Sequence, residues 1–139
     1  MNGPSEASHL LRMARKDLQA MRALSDPHVA DVETFGFHAQ QAVEESLKAW
    51  LDLRGQLYPR IHDLDELLRL LRHHGAIVPG EFDGLTMLTE FGVAFRYEAY
   101  DEPDEPFDRP EITGAVERLL QHVESLVPPE NPSSATAPR

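Results

Sequence analysis

The chain contains no cysteine, which excludes a disulfide framework and any thiolate metal site. It has no apolar run near the ~18 residues that a membrane span requires. Its first residues, Met1-Asn2-Gly3-Pro4-Ser5-Glu6, lack the charged-then-apolar order of a secretory leader. These absences predict a soluble, cytoplasmic protein with no membrane segment. Basic charge is scarce as well: 13 Lys+Arg stand against 24 Asp+Glu, a formal net charge of −11. Such a balance favours solubility and excludes a general nucleic-acid-coating surface, which needs a broad basic footprint. It leaves room for a local site that grips one phosphate or nucleotide. The Gly-x-x-x-x-Gly-Lys, Gly-x-Ser-x-Gly and His-Glu-x-x-His motifs are missing, so no standard hydrolase is supported. Glu6-x-x-His9 has the spacing of a di-iron ligand pair, but no second pair exists to complete a carboxylate-bridged site. No metal and no cofactor are expected.

Helical periodicity is what the chain does have. The 139 residues suffice for one domain with its own core, and no strand alternation or internal repeat competes. The spacing predicts a first helix over residues 5–24, capped by Ser5, with Ala7, Leu10, Leu11, Ala14, Leu18 and Met21 as its stripe. A second covers 31–53 and stops at Gly55. Its wide apolar arc (Phe35, Ala39, Ala42, Val43, Leu47, Ala49, Trp50 and Leu53) suits a central helix, with Gly36 loosening the first turns. A third covers 64–74, opened by an Asp63/Glu66 capping box and ended by Gly75. A fourth covers 80–100. A fifth begins at Pro110, with Ile112, Ala115, Val116, Leu119, Val123 and Leu126 inward. The acidic, proline-bearing stretch 101–109 reads as a mobile loop, and the Pro/Ser/Ala-rich stretch 128–139 as a disordered tail. The expected architecture is all-α: an antiparallel bundle of four to five helices over residues 1–127.

Three groups of residues are candidates for chemistry. Wound at about 100° per residue, 80–100 turns Leu85, Leu88, Gly92, Val93, Phe95 and Ala99 to one side, with Arg96 among them. A guanidinium cannot be neutralised at cell pH. On a packed face it demands an acidic partner, a second subunit or an anionic ligand. Tyr100 shares its face and Tyr97 lies beside it, a combination suited to a phosphate plus a base. On the second helix His38, Gln41, Glu45, Lys48 and Asp52 form one polar strip, with Glu44 at its edge. The strip reads either as a solvated surface with a Glu44–Lys48 pair or as a groove wall for a polar ligand. Arg60 and His62 flank the start of the third helix, where a positive helix end can hold an anion.

The run Phe37-His38-Ala39-Gln40-Gln41-Ala42-Val43-Glu44-Glu45-Ser46-Leu47-Lys48-Ala49-Trp50 resembles the second-helix signature of HEPN domains. Tyr58-Pro59-Arg60-Ile61-His62-Asp63-Leu64 resembles the family's following loop, and Ala94-Phe95-Arg96-Tyr97 its arginine-bearing fourth helix. The resemblance implies a helical bundle, usually a homodimer with a groove along the subunit contact. It implies a nucleotide or RNA ligand and a minimal nucleotidyltransferase partner in a toxin–antitoxin-type system. Many HEPN domains are metal-independent RNases with an Arg followed four to six residues later by His. Here Asp101 and Glu102 stand where that His belongs, and the next imidazole is His122. The leading expectation is therefore nucleotide and/or nucleotidyltransferase binding, with His38, Gln41, Glu45, Lys48, His62, Arg96, Tyr97 and Tyr100 as ligand-binding residues. The alternatives are an RNase using Arg96 as a catalytic residue and a non-catalytic dimeric interaction module.

Overall fold

Three aspartates start three of the helices. In each case the side chain accepts from backbone N–H groups that the first helical turn leaves without partners. Asp31 accepts from Thr34 N at 2.7 Å and opens α2 (Val32–Leu53). Asp63 accepts from Asp65 N and Glu66 N and opens α3 (Leu64–His73). Asp108 accepts from Glu111 N, with Pro110 in the first turn, and opens α4 (Arg109–Glu124). They follow α1 (Gly3–Ala23), and a 3₁₀ helix, Gly80–Gly92, lies between α3 and α4. The computed structural model describes residues 3–92 and 105–129, with side chains from Glu6 onward, and no strand occurs among them.

α2 and α3 end alike. Gly55 and Gly75 adopt φ of 74° and 90°, where a Cβ is strained. In both, the next N–H reaches back over the turn: Gln56 N to Leu51 O and Ala76 N to Leu71 O, each 2.9 Å. This Schellman closure satisfies carbonyls that the helix end would strand.

α1 and α2 run antiparallel: Asp17 meets His38, and Glu6 meets Tyr58 just beyond the end of α2. α4 runs antiparallel to α1, pinned by Arg15–Glu124 and Arg22–Glu117. α3 lies parallel to α2, with His62 beside Glu44 at one end and Arg54 donating to His74 O at the other. The core joins Leu18 and Met21 of α1, Phe35, Leu47 and Leu51 of α2, Leu67 and Leu71 of α3, and Leu119 and Leu120 of α4.

The fourth segment departs from the α-helix expected over 80–100: through Gly92 it is 3₁₀. Its buried residues are Phe82, Leu85, Leu88 and Phe91, every third position. At three residues per turn these four eclipse along one line, whereas an α-helix would rotate the phenylalanines off the core. α2 fixes the path at its far end. A Cβ on Gly36 would lie 2.5 Å from the Phe91 ring, so Gly36 is a docking notch for that ring and does not loosen the helix. Residues 93–100, with Arg96, Tyr97 and Tyr100, lie outside the described residues.

Three further expectations are corrected. Ser5 lies inside α1, which begins at Gly3. Leu126 lies beyond α4 and is 42% exposed, while Leu120 is fully buried. The end of the presumed mobile loop is fastened. Phe107 sits between Phe35 and Phe91, 5.7 Å from each, and Arg109 is only 3% exposed. Its guanidinium takes Glu105 through two N–H groups (3.0 and 2.6 Å) and donates to Leu24 O and Ala30 O at 2.9 Å each. One cation thereby ties the end of α1, the α1–α2 connection and the start of α4. The tail from residue 130 lies outside the described residues.

Candidate functional site

The polar residues of α2 divide into an inward row and a row facing α1. Gln40, Glu44 and Lys48, four residues apart, form the inward row at 0%, 5% and 8% exposure. A buried carboxylate requires charge and hydrogen bonds around it, and Glu44 has both. Lys48 donates to Oε2 at 2.8 Å, Gln40 to Oε1 at 2.9 Å, and His62 Nδ1 lies 2.9 Å from Oε1. Burial alone would push the Glu44 carboxyl up. The bonds from Lys48, Gln40 and His62 outweigh it and hold the group below its usual value. Gln40 also donates to His62 O at 3.1 Å and accepts from Gln41 at 3.0 Å. Lys48 lies 5.6 Å over the Tyr58 ring, and the Tyr58 hydroxyl donates to Glu6. That bond leads in pushing the phenol up to about 12, burial adding to it.

The second row meets α1. His38 Nδ1 lies 2.9 Å from Asp17 Oδ1. Glu45 is pushed up to about 9, first by burial and then by its hydrogen bond to Asp17 and the charges of Asp17 and Glu44, with Lys48 opposing. At neutral pH Glu45 therefore carries a proton. Glu45 Oε1 and Asp52 Oδ2 are buried and have no hydrogen-bond partner among the described residues. Burial, followed by the charge of Glu6, raises Asp52 too.

The strip expected from sequence is thus two structures. Lys48 lies in the inward row on Glu44 and Glu45 in the row against Asp17 of α1, both engaged within the fold. His38, Gln41 and His62 remain partly open, the two rings 31% and 64% exposed. Each ring is oriented through Nδ1 by a carboxylate, which leaves Nε2 toward other groups. Chemically this arrangement can pass protons and hydrogen-bond a polar ligand. At the start of α3, Asp63 occupies the N–H groups of Asp65 and Glu66, and Leu64 N donates to Thr89 at 3.1 Å, so these donors are already engaged within the fold. Among the described residues no group of three or more His, Asp or Glu is arranged to hold a metal, and no helix is long and apolar enough to cross a membrane. A cavity of about 470 Å³ between α3 and the 3₁₀ helix, lined by Asp65, Arg69, Arg72, His73 and Asp83 among others, contains none of the candidate residues.

Sequence reasoning missed Asp17, Gln40 and Arg109. Asp17 falls in the register of the α1 stripe, between Ala14 and Met21, a legible sign of an inward acid. Gln40, Glu44 and Lys48 repeat at steps of four, and Glu105 and Arg109 share the i, i+4 spacing of an ion pair.

The family model for the HEPN domain matches residues 7–127. No curated protein and no solved structure matches the chain.

Proposed function

The chain belongs to the HEPN domain family, and from that premise we propose that it is a nucleotide-binding member that works with a minimal nucleotidyltransferase as one half of a toxin–antitoxin-type pair. Membership itself supports a nucleotide- or RNA-related role. The observation that carries the finer reading is the pair of carboxylate-oriented imidazoles, His38 on Asp17 and His62 on Glu44, with Gln41 linked to Glu44 through Gln40. A Cβ on Gly92 would lie 2.9 Å from the Gln40 amide. Arg96 follows four residues later, within about 14 Å of extended chain. In this reading Arg96 takes a phosphate, Tyr97 and Tyr100 stack on the base, and Gln41 and the two imidazoles supply polar contacts. Glu45 and Lys48 hold Asp17 and Glu44 in place, and the protein acts as a homodimer.

Thermal unfolding with ATP, AMP and a short single-stranded RNA tests this. A ligand at 100 times its Kd adds about 2.7 kcal/mol, so Tm rises for the wild type and does not for Arg96→Ala with unchanged helicity. A flat Tm across all three ligands rejects nucleotide binding. The same imidazole pair favours one second reading, a metal-independent RNase in which His38 or His62 replaces the histidine missing after Arg96. It requires RNA cleavage in EDTA that His38→Ala or His62→Ala abolishes.

A further inference from the structure

The two ends of the bundle carry opposite chemistry, about 33 Å apart along the 22 residues of α2. At the end where α2 and α3 finish, residues 53–62 and 73–80 contain no Asp or Glu in a chain of net charge −11. Arg54, His73 and His74 are exposed there. The two connections are held together by Arg54, which donates to His74 O at 2.9 Å. Each presents one aliphatic side chain two residues past its glycine: Leu57, 98% exposed, and Ile77, 88% exposed. At the opposite end Asp26, Asp31, Asp108 and Glu111 are exposed, and the Arg109 guanidinium is buried against Glu105. Between these acids lies a cavity of about 230 Å³ lined by Pro27, His28, Val29, Asp31, Val32 and Glu105 among others. That volume is below the ~300 Å³ floor of small-ligand pockets and suits a protruding side chain.

Helix dipoles account for the sign of the charges at each end. They do not account for two almost fully exposed aliphatic chains at one end and a hollow of side-chain size, floored in part by Val29 and Val32, at the other. We propose that these ends are the two halves of a head-to-tail contact between copies of this chain, Leu57 and Ile77 of one copy entering the Pro27–Val32 hollow of the next while Arg54 faces the exposed Asp26 and Asp31. The contact is heterologous, so it joins copies in series and does not close a symmetric pair. It is smaller than a standard interface, so the association is weak and concentration-dependent. It is independent of the nucleotide reading and stands or falls separately.

Sedimentation equilibrium over roughly 10 µM to 1 mM reads it out. The mass of the wild type grows with concentration, and the growth weakens at least tenfold in high salt, where charge pairing is screened. Leu57→Asp/Ile77→Asp and Val29→Asp, each with wild-type circular dichroism, lose that growth when alone. Mixed in equal amounts they regain association, since each retains one intact half. Constant mass up to 1 mM, growth that survives either variant, or a mixture that stays unassociated overturns the proposal. A second variant pair, Leu57→Ser/Ile77→Ser with Val29→Ser, gives the same readout if an aspartate variant fails to fold.

Discussion

Replacing Arg109 by methionine removes the single cation that binds three parts of the chain, and its cost follows from the contacts. The side chain is 2% exposed and its partner Glu105 16% exposed. Breaking a buried pair by deleting one member costs about 3–5 kcal/mol, because the other charge stays desolvated. Leu24 O and Ala30 O lose their donor as well, at about 1–3 kcal/mol each if nothing replaces it. Two effects pull the other way. Glu105 keeps some access to water and can rotate outward, and methionine retains packing on the Phe35 ring, which the guanidinium now overlies at 5.4 Å. The net expectation is a loss of about 3–4 kcal/mol, or roughly 10–15 °C in Tm for a domain of this size. Urea unfolding followed by circular dichroism measures it, and Glu105→Gln/Arg109→Met should recover about 1–2 kcal/mol by removing the stranded charge. A loss below 1 kcal/mol for the single variant, or no recovery in the double, refutes the view that this ion pair organises the α1–α2 connection and the start of α4.

Gly36→Ala places a methyl against the Phe91 ring. Overpacking at about 1–3 kcal/mol outweighs a helix-propensity gain of about 1 kcal/mol. In a Phe91→Ala background the same substitution becomes stabilising, and two-variant urea curves reveal whether the sign reverses. Glu45 titrates at about 9 in the fold against 4.5 ordinarily, so the native state holds its proton longer than the unfolded chain. Stability is undisturbed by this group below pH 4.5, falls as pH rises from there to about 9, and then levels off. Glu45→Gln should flatten that decline, with a stabilisation at pH 8 that vanishes near pH 4; equal effects at both values sink the assignment. Glu44 has the reverse sign, its value lowered in the fold. It contributes stability above pH 4.5 that disappears on acidification, and Lys48→Met should destabilise most at neutral pH, read by thermal melts at pH 3.5 and 7.

The helical boundaries were legible because their signals are local. Asp31, Asp63, Pro110, Gly55 and Gly75 each act within one turn of chain. The 3₁₀ winding was not, although Phe82, Leu85, Leu88 and Phe91 repeat at three. That spacing also fits an α-helix over two turns, and what selects between them is the Gly36 notch on another helix. The polar strip was legible as a set of residues but not as a division. Which side of α2 faces α1 depends on Asp17, about twenty residues away, and the burial that raises Glu45 beside Asp17 exists only once packing brings the two helices together. Arg96 drew attention as an arginine on an apolar arc, while Arg109, the arginine seen to be enclosed, stood in a stretch whose prolines and acids suggested freedom.

The thirteen 3₁₀ residues leading to Gly92 set a length as well as a face. At a rise of about 2.0 Å per residue they reach about 26 Å, against about 20 Å for the same residues wound as α. Rewinding the segment would therefore move Gly92 about 6 Å along the axis. The pitch of the segment sets where its end sits, and the ring lodged at Gly36 is the stop that holds the setting.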